Sequence, residues 1–205
     1  MCENSLDRGL SRYLSNESLA KIRKTTVGIA GAGGLGSNVA QMLVRCGFCK
    51  FVIADFDIVE PSNLNRQFFF ADQIGQNKVE ALTKNLKKVN PDMDVEAQVI
   101  KITRDNTAEI FGGCDILVEA MDKPDSKAAF VSAALPLQKP VICVSGIAGF
   151  GHSDDIKITK KSANWYMVGD GESDIGNGIP PLAPRVMVAA AKQADIVLDL
   201  VLKSE

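Results

Sequence analysis

Hydrophobic and polar positions along the 205-residue chain alternate between two periods. Five short apolar runs, Thr26–Ala30, Phe51–Asp55, Val95–Ile100, Asp115–Ala120 and Val141–Ser145, read as strands. All but the third are nearly continuous, the pattern of strands covered by helices on both faces. Between the runs, apolar positions near a 3.6 period predict helices over Leu35–Cys46, Lys78–Val89, Thr107–Phe111 and Ser126–Leu137. Strand alternating with helix builds a mostly parallel sheet with right-handed crossovers and helices on both faces. The predicted class is α/β.

The flanks add less regular pieces. Residues 1–24 form a polar N-terminal arm, expected to be helical. Lys157–Thr159 reads as a short added strand, antiparallel to its neighbour. Residues 161–180, rich in Gly, Asp and Asn, read as a mobile crossover loop. A last helix is expected over 184–203, with Val186, Ala190, Ala194, Val197 and Val201 near helical spacing. Pro180, Pro181 and Pro184 suit the approach to its first turn. No Pro/Gly/Ser-rich linker divides the chain before residue 160, so residues 1–205 are read as a single domain.

Charge narrows the partners. With 23 basic and 25 acidic residues the net charge is −2, without the concentrated basic face that nucleic-acid binding requires. No apolar run reaches the roughly 20 residues of a membrane span; Lys192, Asp195 and Asp199 interrupt the stretch Val186–Leu202. The polar start lacks the apolar stretch of a signal peptide, and the five cysteines are expected to be reduced thiols in a cytoplasm. Cys46-Gly-Phe-Cys49 offers two thiolates where structural zinc needs four ligands, so no zinc is expected.

Candidate chemistry begins at Gly31-Ala32-Gly33-Gly34-Leu35-Gly36, directly between the first strand and the first helix. Glycines here let the backbone turn tightly and approach a phosphate or ribose, and the helix start adds unpaired N–H groups. Asp55, closing the second strand, can accept from ribose hydroxyls. These features predict a nucleotide site of Rossmann-like type. On their own they suit NAD or FAD as well as ATP.

The segment after the second strand changes that balance. Asp57, Ser62, Asn63, Leu64, Asn65, Arg66 and Gln67 fall within one run, DFDIVEPSNLNRQ. Hydride transfer has no use for so many carboxylates, amides and a guanidinium beside a ribose; triphosphate chemistry does. Arg66 can bridge two phosphate oxygens, with Asn63 and Gln67 as neutral donors. Lys78 opens the next helix and can set an ammonium near the α-phosphate. Asp122, followed by Lys123, lies just past the fourth strand, at the carboxyl edge where open α/β sheets bind ligands. Its carboxylate suits Mg²⁺, which commonly takes one or two carboxylates plus phosphates.

The combination GAGGLGS, DFDIVEPSNLNRQ, GQNKVEA and AMD, spread over roughly residues 12 to 160, resembles the ThiF/MoeB branch of the ubiquitin-activating superfamily. The opening RYLSNESL and the short chain are similar to compact ThiF-like proteins that act on the sulfur carrier ThiS. The resemblance implies ATP-dependent adenylation of the C-terminal carboxylate of a small ubiquitin-like carrier with a Gly-Gly-type tail. Arg66, Lys78 and Asp122 would act on the polyphosphate, with Asp122 holding Mg²⁺. Arg12 would reach the site across a homodimer. Larger relatives carry a reactive cysteine before the last helix, whereas here none follows Cys143. The expected product is therefore the acyl adenylate, with sulfur delivered by another protein. Gly146, Gly149 and Gly151 are candidates to line a channel for the tail. His152, the one histidine, is read as a surface residue.

Rival readings stay open at this stage. A tRNA-modifying dehydratase resembles the same family, also activates a carboxylate with ATP, and is compatible with AMDKPDSKAAF. An NAD-dependent oxidoreductase and a non-catalytic scaffold are the others.

Overall fold

Each predicted strand forms, displaced by at most a few residues; helices bury all of the apolar runs but the third, which lies at the sheet edge. In the computed structural model, which describes residues 4–173 and 179–203, these are β1 (Thr26–Ala30), β2 (Lys50–Ala54), β3 (Asp94–Gln98), β4 (Ile116–Glu119) and β5 (Val141–Val144). Two further strands, β6 (Lys157–Ser162) and β7 (Trp165–Gly169), complete a sheet of order β3-β2-β1-β4-β5-β7-β6. All neighbours are parallel except β6 and β7. The chain moves from β1 outward through β2 and β3, then returns to lay β4 on the other side of β1. The order therefore reverses between β1 and β4, and open α/β sheets bind ligands outside the strand ends at such a switch point.

The helices divide the core in two. On one face α3 (Gly36–Arg45) lies beside α7 (Ala183–Lys203), with α2 (Asn16–Lys24) and α4 (Lys78–Lys87) around them. Val39, Leu43, Ile29, Ile53, Leu82 and Val197 are fully buried in that cluster. On the other face α5 (Thr107–Phe111) meets α6 (Pro124–Ala134). There Phe111 and Phe130 pack edge to face, with ring centroids 5.6 Å apart. Each such fully buried ring contributes about 1.5–3 kcal/mol from apolar surface removed from water. In the N-terminal arm, α1 (Ser5–Leu10) precedes α2, whose Ser15 cap accepts from Ser18 N–H at 3.1 Å. Among the described residues no helix is long and apolar enough to cross a membrane.

One sequence expectation is corrected. The stretch 161–180 is not a loop throughout: Trp165–Gly169 is a strand inside the sheet, parallel to β5 and antiparallel to β6. The 161–180 composition hides it, because the polar residues flanking it dominate the window while Val168 is fully buried. The short strand expected at Lys157–Thr159 is its hairpin partner and runs to Ser162. Residues 174–178 of the expected loop lie outside the described residues.

Candidate active site

At the carboxyl ends of β1, β2 and β4 the surface opens into a cleft of about 890 Å³. Its floor is the glycine turn. Gly31 has φ +102°, and a Cβ there would stand 2.7 Å from the Ala120 carbonyl oxygen; only glycine allows this crossing of β1 over β4. A Cβ at Gly36 would stand 1.8 Å from Gly31 O, so the turn folds back on itself at that point. Gly33, whose Cβ would meet nothing closer than 3.8 Å, faces the cleft. Leu35 at the start of α3 offers no side-chain acceptor to the first-turn amides, of which Ser37 N–H donates to Gly33 O at 3.0 Å.

The wall opposite is the run after β2. Ser37 and Asn38, in the first turn of α3, pin it: Phe68 N–H donates to Ser37 Oγ at 3.0 Å, and Asn38 Nδ2 donates to Arg66 O at 2.8 Å. Asp55 is buried, and its carboxylate accepts Ala32 N–H at 2.6 Å and Asp57 N–H at 2.8 Å. Burial raises its pKa above the usual aspartate value, although those two hydrogen bonds and Lys78 act the other way. Lys78 is buried, with Nζ 2.8 Å from Asp57 Oδ2. Arg66 Nη1 donates to Ser62 O at 3.1 Å and to Asn65 Oδ1 at 2.7 Å. Burial lowers its pKa, and the charge of Asp122 across the cleft opposes that shift. Gln67 is buried with its Oε1 unpartnered.

The fold thus gathers Gly31, Gly33, Gly34, Leu35, Asp55, Asp57, Ser62, Asn63, Arg66, Gln67, Lys78, Asp122 and Lys123 around one space. It leaves out Gly36, which is a packing residue, and Leu64 and Asn65, which turn away; Asn65 Nδ2 donates to Pro181 O at 3.2 Å. Arg12 is exposed on the turn between α1 and α2 and does not line the cleft. Asp122 makes no helix cap: the cap position of α6 is Lys123. Gly146 lines the cleft, while Gly149 and Gly151 do not. His152 is exposed.

Sequence reasoning missed several residues. Phe56, Ile58, Ile100 and Ile102 give the cleft an apolar side. Phe56 and Ile58 alternate with acids, so nothing in the pattern set them apart. Glu119, fully buried, pairs with the half-buried Lys127 beside the Asp122 wall, 2.9 Å away. Arg185, buried in the first turn of α7, donates to Gly151 O and His152 O at 2.9 Å and meets Asp170 at 2.5 Å. That clamp sets the Gly171–Ser173 rim of the cleft. Net of burial, which opposes it, the donors Ser173, Glu172 and Arg185 hold Asp170 below the usual carboxylate range.

Residues 6–201 match the model of the ThiF family. Ubiquitin-like modifier-activating enzyme 5 of Aedes aegypti is 33% identical over 164 residues, covering 80% of this chain and 38% of that one. The Caenorhabditis briggsae enzyme is 44% identical over 93 residues, 45% of this chain and 22% of its own. The chain therefore spans well under half the length of these curated relatives. Among solved structures, Escherichia coli tRNA N6-threonylcarbamoyladenosine dehydratase, TcdA, in complex with AMP superposes with a TM-score of 0.87 at 20% identity, over 98% of this chain and 97% of that one. At that identity the match speaks for the fold. Escherichia coli MccB with ATP gives 0.72 at 26% identity, over 92% and 60%. With the family model spanning nearly its whole length and the glycine turn, acid and cations around one cleft, the chain belongs to the ThiF family.

Proposed function

We propose that this protein uses ATP to adenylate a carboxylate carried by a macromolecule. The observation that carries the reading is the meeting of Arg66, Lys78 and Asp122 with the glycine turn and Asp55 in one cleft. The MccB and TcdA structures, which hold ATP and AMP, support the choice of nucleotide. In this reading Asp55 accepts from the ribose, the α3 amides and Arg66 hold the phosphates, and Lys78 stands near the α-phosphorus. A carboxylate oxygen attacks that phosphorus, the bond to the bridging oxygen of the β-phosphate breaks, and pyrophosphate leaves. The nucleophile is already ionised at neutral pH, so no general base is required. Both reactants are anions, and fixed cations lower the barrier by offsetting their repulsion and the charge growing on the leaving group.

Magnesium fits the donor set. Among the described residues no group of three or more His, Cys, Asp or Glu forms a protein cage, and Mg²⁺ bound with phosphates needs only one or two carboxylates. Asp122, exposed at the cleft, would hold it. Bound there, the ion would neutralise polyphosphate charge.

Two acceptors remain, and the support for them differs. The ThiS-type carrier in a homodimer gains support only in coarser form, from relatives named for activating ubiquitin-like modifiers. The tRNA-modifying dehydratase, the rival from sequence, has the better support: TcdA and this chain match end to end. In a dehydratase, a nucleophile within the same substrate would expel AMP from the adenylate, removing in two steps the elements of water. The deciding experiment incubates the protein with ATP and Mg²⁺, and separately with bulk tRNA or with Gly-Gly-tailed ubiquitin-like proteins. Pyrophosphate release dependent on tRNA, with salt-sensitive retention on tRNA, selects the dehydratase. An AMP-sized mass gain on a carrier selects the other. No release with either ends the adenylation reading.

A further inference from the structure

The proposed reaction does not use the ion pair of Glu119 with Lys127. Glu119 ends β4 fully buried, and its two oxygens lie 2.9 and 3.0 Å from Lys127 Nζ. Oε1 also accepts Met121 N–H at 2.7 Å, and Oε2 accepts Val144 N–H at 3.4 Å. Lys127 places its remaining bond on Val144 O at 3.2 Å. The ladder between β4 and β5 ends just before this point, at Val118 opposite Ile142. At this end of the pair, side chains add links between the two strands. From the α7 side Gln193 Nε2 spans the same gap, donating to Glu119 O at 2.9 Å and Ile142 O at 3.2 Å.

The two strand ends tied in this way become opposite walls of the cleft. One continues into Met121 and Asp122, the other into Ser145 and Gly146. We infer that Glu119 is a positioning residue: with Lys127 it fixes the separation of these walls, and so sets Asp122 for a Mg²⁺-bound polyphosphate. Lys127, although it lines the cleft, is not a phosphate ligand, since its ammonium is spent on three acceptors. The inference rests on the ATP reading above.

The chemistry of the contact demands a carboxylate. Met121 N–H, Val144 N–H and the Lys127 ammonium are all donors, so Glu119 must accept at both oxygens. Glutamine has the same shape but one acceptor oxygen; however it turns, its NH₂ faces another donor. Glu119→Gln should therefore loosen the Asp122 wall while leaving the glycine turn, Asp55 and Arg66 untouched.

The test measures ATP affinity by titration calorimetry with and without Mg²⁺. For Glu119→Gln the metal-free affinity should stay within about twofold of wild type, while the gain conferred by Mg²⁺ falls about 10-fold or more, as for other groups that orient a metal ligand. Lys127→Met should behave alike, and Lys127→Arg, which keeps a cation with several N–H donors, should retain most of the gain. A general loss of stability would lower both affinities together. Wild-type Mg²⁺ dependence in folded Glu119→Gln and Lys127→Met overturns the inference. If wild type binds no ATP, the functional reading falls first and takes this one with it. Should both variants fail to fold, hydrogen exchange on wild type decides: Mg·ATP should slow exchange in segments 119–123 and 144–147 together. Slowing in the first alone shows that the walls are not coupled.

Discussion

Lys78 is tied twice to Asp57: its Nζ meets Oδ2 at 2.8 Å, and its backbone N–H donates to the Asp57 carbonyl at 2.9 Å. The start of α4 is thereby fixed against the loop after β2, and the ammonium is held in place within the cleft. The side chain of Lys78 is 9% exposed and that of Asp57 46%. This asymmetry separates function from stability, because Asp57 can be resolvated when its partner is lost.

Lys78→Ala should accordingly be a kinetic lesion more than a folding one. Removing one preorganised electrostatic group from a reaction of this kind costs about 10²–10³-fold in rate. Stability should fall by about 1–2 kcal/mol, in the ordinary range for one substitution, because Asp57 regains water. Pyrophosphate exchange and a denaturation curve on the same preparation check both halves. An exchange rate equal to wild type removes Lys78 from the mechanism.

The glycine turn contains two kinds of glycine, and substitution should tell them apart. A methyl at Gly36 would overlap the Gly31 carbonyl, backbone against backbone, with no side chain free to yield. Gly36→Ala should cost more than about 4 kcal/mol, in the exceptional range for one substitution, and yield little folded protein. Gly33→Ala meets only the end of Gln67 at 3.8 Å and should fold with a nearly unchanged melting temperature. Its methyl enters the cleft, however, so ATP protection in a thermal-shift assay should shrink or vanish. If Gly33→Ala binds ATP as wild type does, the turn is not where the phosphates lie.

How much of this could be read from the sequence depends on whether the signal was local. The strand β1 and helix α5 were legible to the residue, since each is a bounded apolar or periodic run. The nucleotide-facing residues were legible because they sit in contiguous motifs at strand ends. Strand β7 was not: its pairing with β5 joins residues more than 20 apart in sequence, and its flanks carry the composition of a loop. Glu119 with Lys127, and Asp170 with Arg185, were missed because no motif links them. Each acid and base is ordinary by itself, and only the packing of α6 and α7 against the ends of β4 and β7 makes them partners. Strand β3 was overrun for a different reason: Val99 and Ile100 continue its apolar run but are exposed, with Ile100 on the cleft.

The pH dependence of nucleotide binding should carry the mark of Asp55. Burial first, opposed by the hydrogen bonds from Ala32 and Asp57, raises its pKa above the ordinary 3.8. A ribose needs the ionised form as acceptor, so ATP affinity should fall on acidification with a midpoint above 3.8. Asp55→Asn, compared at each pH, isolates this component from the titration of ATP itself. Stability has the opposite sign. The contribution of a group whose folded pKa is raised is full below the unfolded value and is lost as pH rises through the folded one. The stability advantage of wild type over Asp55→Asn should therefore shrink from acid toward neutral pH. A difference in affinity that does not vary with pH shows that Asp55 is not the ribose acceptor.

The cysteines bear on whether the reaction ends at an adenylate or passes through a thioester. Cys143 precedes Val144 on β5, next to the cleft wall, and is the cysteine nearest in sequence to the proposed substrate channel. Burial pushes its pKa up to about 12, with Glu119 adding to the rise, and burial likewise takes Cys114 to about 12. At pH 8 such a thiol is ionised to roughly one part in 10⁴, too little for an efficient nucleophile. Cys46 and Cys49 are only partly buried, and burial raises their pKa values too. Iodoacetamide on the native protein should thus modify Cys46 and Cys49 slowly, and Cys114 and Cys143 only after denaturant is added. Peptide mass spectrometry at matched times reads the order directly. Adding ATP and Mg²⁺ should leave it unchanged, since no step of the proposed reaction uses sulfur from this chain. Rapid labelling of Cys143 in the native state, or its protection by ATP and an acceptor, would instead place a thiol on the reaction path and require a covalent intermediate after the adenylate.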